Sequence, residues 1–183
     1  MAGTCFAMLN NYFPIYLASL GASPGLFGLS IAAAALSELP IWGFSAVLLA
    51  RLKPQGLLMV AFGTYVVRGV ASSLIVDPRW AVAVQMLHGL TFPAMWVAVV
   101  VFAGQLAPRG LGASAQAMVG AINSGLASGT GALVGAAIYQ TAGPVWLFRS
   151  AALLALAGLA LFAASEARAR RLSEAGVPGY EMH

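Results

Sequence analysis

Long apolar runs, interrupted at a few short polar or Pro-Gly positions, set the pattern of this chain. The first Asp, Glu, Lys or Arg is Glu38. The stretch before it holds one helix and much of a second, since crossing a hydrocarbon core of roughly 30 Å takes about 20 apolar residues. Gly21-Ala22-Ser23-Pro24-Gly25 reads as a turn of small residues and proline. Arg51-Leu52-Lys53-Pro54, Asp77-Pro78-Arg79, Pro108-Arg109-Gly110 and Gly143-Pro144 supply the other breaks. The pattern predicts an all-α membrane protein with six transmembrane helices over residues 3–20, 26–50, 56–76, 80–106, 112–140 and 145–165. Together they form one bundle within residues 1–166, followed by a polar cytoplasmic tail at 167–183. The connections are all short, so each helix is expected beside its sequence neighbour and antiparallel to it.

The charges agree with this reading. Six spans place both termini on one side, together with Arg51, Lys53, Arg109, Arg168, Arg170 and Arg171, while only Arg79 falls in a loop on the other. Basic residues mark the cytoplasmic side, so both ends are expected in the cytoplasm and the protein in the cell (inner or plasma) membrane. Composition strengthens the case. Hydrophobic residues make up 61% of the 183 and charged residues 8%, against about 25% charged in a soluble domain. Such a chain has too little polar surface to face water and reads as lipid-embedded, which excludes an ordinary soluble enzyme, a disordered tail and a nucleic-acid binder. The N-terminus has no basic leader or cleavage site of a signal peptide. Its first span starts without a flanking loop, which suggests the second part of something longer. Cys5 is the single cysteine and reads as a small packing residue.

Polar groups inside apolar spans carry the candidate chemistry, because a charge at the bilayer centre costs about 2.5–3.5 kcal/mol on insertion scales. Glu38 lies in the second span, Arg68 in the third and His88 in the fourth. Counted along their helices, all three fall in the middle third or outer half of the bilayer, where one polar cavity can hold them. Glu38 and Arg68 read either as a structural ion pair locking two helices or as a proton or substrate site. His88 adds an imidazole, a group able to exchange protons near neutral pH. Helical spacing extends the set. Ser37, Glu38, Ile41, Trp42 and Ser45 share a face, with Trp42 as a platform for an apolar or sugar-like ligand face or as plain packing. Gln85, His88, Phe92, Met95 and Trp96 form a stripe in the fourth span. Of the adjacent Asn10 and Asn11, at least one is expected to face the bundle. Gln116 and Asn123, seven apart, share a face of the fifth span.

Pro14, Pro40 and Pro93 lie within spans and free the carbonyls of Asn10, Leu36 and Gly89, so bends coincide with polar positions. The fifth span is built mostly of Gly, Ala, Ser and Thr. Gly125 with Gly129, and Gly131 with Gly135, have the four-residue spacing that permits close helix approach. No His-Glu-x-x-His, Gly-x-Ser-x-Gly or phosphate loop is present. An intramembrane enzyme would need a nucleophile or metal set, and the only histidines are His88 and His183. The expectation is therefore no enzyme, no metal and no cofactor.

On these residues the chain resembles the C-terminal six-helix half of a major facilitator superfamily transporter. The branch it is most similar to contains lactose permease and the phenylpropionate and nucleoside proton symporters. The resemblance rests on Gly28–Pro40 with Ser37-Glu38-Leu39-Pro40, on Val66-Val67-Arg68-Gly69, on Gln85-Met86-Leu87-His88-Gly89-Leu90-Thr91-Phe92, on Ala107-Pro108, and on Ala115-Gln116 with its glycine-rich continuation. It implies proton-coupled symport of a small organic solute by alternating access. Glu38 would then contact substrate, with Trp42, Asn10, Gln85, Gln116 and Asn123 lining the same site, and Glu38, Arg68 and His88 would couple protons. The family's acidic residue one turn after the histidine is Thr91 here, and its Asp–Lys pair between the first and fifth helices of this half is absent. A second six-helix half, either a missing N-terminal half or a second copy, would complete the transporter. A drug or metabolite efflux half and a non-transporting membrane scaffold are the alternatives.

Overall fold

A computed structural model describes residues 1–175, and these are almost wholly helical. The chain runs through α1 (Ala2–Ser19), α2 (Pro24–Gly43), α3 (Ser45–Ser73), α4 (Trp80–Gln85), α5 (His88–Leu106), α6 (Gly112–Ala121), a π-helical turn (Ile122–Ala127), α7 (Ser128–Ala142) and α8 (Pro144–Glu174). Five stretches are long and apolar enough to cross a bilayer: Pro24–Gly43, Ser45–Ser73, Trp80–Leu106, Gly112–Ala142 and Pro144–Glu174. Helix α1 has 18 residues and carries Asn10 and Asn11, which lower its hydropathy.

Local chemistry explains most of the ends. Ser23 caps α2 by accepting from the Leu26 amide, with Pro24 in the first turn, where its missing N–H costs nothing. Phe44 forms a bend between α2 and the opening of α3. The expected break at Arg51–Pro54 is present inside α3, at Lys53, whose φ of 55° departs from helical geometry ahead of Pro54. The fourth span is interrupted at Met86-Leu87, which separates α4 from α5. The sixth was expected to stop at 165, yet α8 continues to Glu174. Ala, Arg and Glu there are good helix formers, and Glu166 stands four residues before Arg170, a favourable pair. The predicted tail is thus helical over 167–174, and 176–183 lie outside the described residues.

Spans three and four, four and five, and five and six pack against each other as expected, through α3 with α5, α5 with α6 and α7 with α8, while the first two neighbour pairs depart from the expectation. Helices α1 and α2 hardly touch. Instead α3 packs between α8 and α5, α1 packs against α7 and α8, and α2 packs on α4 and α5. The core lies where α1, α3, α5 and α8 meet, around Leu9, Leu17, Leu57, Tyr65, Phe148 and Ala151. Tyr12 donates to the Ala132 carbonyl of α7, and Tyr16 donates to the Ile75 carbonyl beyond α3. These phenols tie α1 at mid-span and near its end. Small residues let α7 approach α1: a Cβ at Gly131 would meet Thr4 and Ala7, and one at Gly135 would meet Tyr12. Gly125 and Gly129 face no atom within 4 Å, so of the two spaced pairs only the second serves as a helix contact.

Candidate functional site

Two polar clusters sit inside the apolar bundle. In the first, His88 Nε2 lies 3.0 Å from Glu38 Oε1, the only contact between a basic and an acidic side chain among the described residues. Trp42 Nε1 donates to Glu38 Oε2 at 3.3 Å, one helical turn away. The Glu38 side chain is 27% exposed and that of His88 10%, so the carboxylate is reachable while the imidazole lies beneath it. Backbone contacts hold the pair in place. Since α5 begins at His88, the amide of Gly89 has no partner within its own helix, and it donates to Ser37 Oγ at 2.9 Å. Ser37 precedes Glu38, so the same contact that caps α5 fixes where the carboxylate emerges.

Arg68 is the centre of the second cluster and is 1% exposed. Its Nη2 donates to Gln85 Oε1 at 2.6 Å and to Asn10 Oδ1 at 3.1 Å, and its Nη1 donates to Thr91 Oγ1 at 3.3 Å. Its Nε has no hydrogen-bond partner, and neither has the hydroxyl of Tyr65 one turn earlier. Among the described residues no carboxylate lies within 4.0 Å of the guanidinium. The ion pair of Glu38 with Arg68, one of the two readings of these residues, is therefore not formed. The cause is the packing order: α2 lies on α4 and α5 and touches α3 little, while Arg68 points from α3 toward α1, α4 and α5. The two clusters nevertheless share α5, because Thr91 accepts from Arg68 and donates to the carbonyl of His88 at 2.8 Å.

A guanidinium held only by neutral oxygens is expensive to bury, because desolvation is not offset by an opposite charge. Arg68→Met combined with Asn10→Leu and Gln85→Leu removes the charge together with the Asn10 and Gln85 oxygens it serves. This variant is expected to keep the thermal stability of the protein in detergent within about 1 kcal/mol of the parent, or to raise it, since apolar replacement of a whole buried polar cluster is often neutral or favourable. A loss of about 3 kcal/mol or more would assign the cluster a structural role instead.

An aromatic row extends from the Glu38–His88 contact. The His88 ring stacks near Phe92 with centroids 6.2 Å apart, and Phe92 stacks near Trp96 at the same spacing. Phe6 of α1 closes on Phe92 at 4.7 Å and faces His88 at 6.3 Å. Phe6, Phe92 and Trp96 are half-buried, so they form a wall rather than core. Phe6 was not among the residues picked out from the sequence. Its only signal is its place one turn before Asn10, whose amide donates to the Phe6 carbonyl. Met95, expected on the same stripe, is buried in the core.

The remaining predicted residues go elsewhere. Asn10 and Gln85 hold Arg68 and do not reach Glu38. Asn123 lies in the π-helical turn, against Gly3. With Trp96, Met95 and Val119 it lines a cavity of about 210 Å³ at the far end of the aromatic row. Gln116 is exposed on α6, near Gly104. The six residues thus divide among four places, and only Glu38 and Trp42 share the site with His88. The described residues contain no group of three or more His, Cys, Asp or Glu arranged to hold a metal.

No solved structure gives a significant match to the chain. The model of the MFS_1 like family matches residues 1–150, which includes both clusters and every span through the start of α8. The apolar helices, the buried charges and this match lead to one conclusion: the chain belongs to the MFS_1 like family of membrane transporters.

Proposed function

We propose that this chain is the C-terminal half of a proton-coupled symporter for a small organic solute, similar to the branch that contains lactose permease. In this reading α1 crosses the bilayer with the other five spans. Both termini face the cytoplasm of an inner or plasma membrane, and a second six-helix half faces the aromatic row. Alternating access proceeds by rocking of the two halves around the site at mid-membrane. The observation that carries the reading is the Glu38–His88 pair at 3.0 Å with its carboxylate partly open. A carboxylate and an imidazole in contact form a proton-holding unit, and a solute that hydrogen-bonds Glu38 breaks their contact. The protonated carboxyl donates to a solute oxygen, so solute binds when the pair holds its proton and the two occupancies reinforce each other, which is the requirement for symport. Arg68, linked through Thr91, supplies the fixed positive charge that biases the pair.

Coupling is read out by proton movement. In de-energised vesicles holding the complete transporter, a solute accepted by the protein is expected to alkalinise the outer medium as it enters, and in energised vesicles a proton ionophore is expected to abolish its accumulation. Solute entry without any change in pH would remove proton symport. Acidification on entry would indicate exchange of solute for protons, the arrangement of an efflux transporter.

A further inference from the structure

We propose that the groove between α3 and α8 is a binding site for an anionic phospholipid, with the headgroup on Arg149 and an acyl chain below it. The groove encloses about 370 Å³ and lies outside both polar clusters. Its floor and walls are apolar: Val66, Val70 and Leu74 from α3, Leu153 and Leu156 from α8. Arg68 points from α3 into the bundle, whereas Val67, Val70 and Leu74 are exposed, so this side of the helix is turned outward. In a membrane transporter the outward apolar side of such a helix meets lipid.

Polarity is segregated along the groove. Arg149 is the only charged residue that lines it, and it sits one turn from Trp146, its guanidinium 5.6 Å from the indole centroid. Both lie in the first two turns of α8, at the end where α3 terminates and the Asp77–Arg79 loop begins. Tryptophan is enriched at the membrane–water interface, and an arginine stem reaches the same level by snorkelling. From Trp146 to Leu156 the helix rises roughly 15 Å at about 1.5 Å per residue, half of a hydrocarbon core of roughly 30 Å. The groove therefore has the depth of one leaflet, a cation at the headgroup level and hydrocarbon below. A soluble anion would need only the first part of this arrangement, and an apolar protein helix only the second. Among the described residues Arg149 has no carboxylate within 4.0 Å, so the headgroup does not compete with an internal partner.

Trp146 provides the probe. The full chain carrying W42F, W80F and W96F retains it as the sole tryptophan. It is reconstituted into phosphatidylcholine vesicles containing a minor fraction of phosphatidylglycerol. Bromine atoms on the acyl chains of either lipid quench a nearby indole. At equal mole fraction, brominated phosphatidylglycerol is expected to quench Trp146 as though enriched about fivefold over brominated phosphatidylcholine, the preference that one basic group near the surface confers. Arg149→Gln is expected to bring the two lipids to equality. Val70→Trp, placed in the parent chain to fill the groove, is expected to lower the number of phosphatidylglycerol molecules retained in native mass spectrometry, a measurement that does not depend on the triple replacement. Equal quenching by both lipids, a preference that survives Arg149→Gln, or a preference abolished by millimolar inorganic phosphate would each overturn the proposal. So would the absence of quenching by either lipid, which would mean that protein covers the groove.

Discussion

Replacing Glu38 by Gln is expected to lower gradient-driven accumulation of solute by roughly 10–100-fold while leaving exchange of solute across the membrane measurable. The geometry separates the two readouts. Gln has the size of Glu and keeps an oxygen for Trp42 Nε1, which stands 3.3 Å from Glu38 Oε2. It loses the charge that faces His88 Nε2 at 3.0 Å and with it the ability to carry a proton. A charge-assisted hydrogen bond contributes about 1.5–3 kcal/mol, and this sets the size of the expected fall. Accumulation against a gradient requires the proton step, whereas exchange requires only binding and rocking. His88→Gln is expected to produce the same separation, and the double variant to be no worse than the worse single one, because residues acting as one unit are not additive. The check is uptake of labelled solute in energised cells beside counterflow in de-energised vesicles. Undiminished accumulation by the Glu38→Gln transporter would exclude the pair from coupling, whatever its effect on stability.

How far the sequence led depends on which coordinate of the helix bundle is considered. Position along the helix axes was readable in part, because lipid demands an apolar run of nearly fixed length and the breaks at Pro or Gly, such as Lys53-Pro54 and Gly143-Pro144, fall where the chain has a physical reason to stop. The breaks at Phe44 and Met86-Leu87 and the extension of α8 to Glu174 were not foreseen. Depth follows from counting residues, which sets Glu38, Arg68 and His88 at comparable levels. Direction around each helix was not readable, since it depends on which helices pack together, and short loops suggested the wrong neighbours for α1 and α2. Arg68 consequently faces Asn10, Gln85 and Thr91 rather than Glu38. Phe6 joins the aromatic row only because α1 comes close to α5, which no local pattern in α1 announces. The seven-residue spacing of Gln116 and Asn123 assumed a regular helix throughout. The π-helical turn at Ile122–Ala127 breaks that regularity, and α6 has no buried residue to hold Gln116 toward the bundle.

Gly89→Ala is expected to cost about 3 kcal/mol of stability and to disconnect the Glu38–His88 pair, although a single methyl group is added. A Cβ at this position would overlap the main-chain carbonyl of Ser37 and crowd the amide of Glu38. Backbone cannot rotate aside as the tip of a side chain can, so α2 and α5 must separate. Overpacking of this kind costs typically about 1–3 kcal/mol. Separation also breaks the bond from the Gly89 amide to Ser37 Oγ, 2.9 Å in the native arrangement, and leaves a buried N–H bare at about 1–3 kcal/mol. The colliding atom is a carbonyl oxygen, so Ser37→Ala is not expected to rescue Gly89→Ala. Gly63→Ala is the matched control: Gly63 lies within α3, where an added methyl would have no atom within 4 Å. Alanine there is expected to leave stability unchanged or raise it by up to about 1 kcal/mol through helix propensity. Thermal unfolding of the three variants in one detergent, followed by the loss of helical circular dichroism, distinguishes the outcomes. A Gly89→Ala protein as stable as the Gly63→Ala protein would show that α2 and α5 do not approach this closely, and the support that places Glu38 against His88 would have to be sought elsewhere in the bundle.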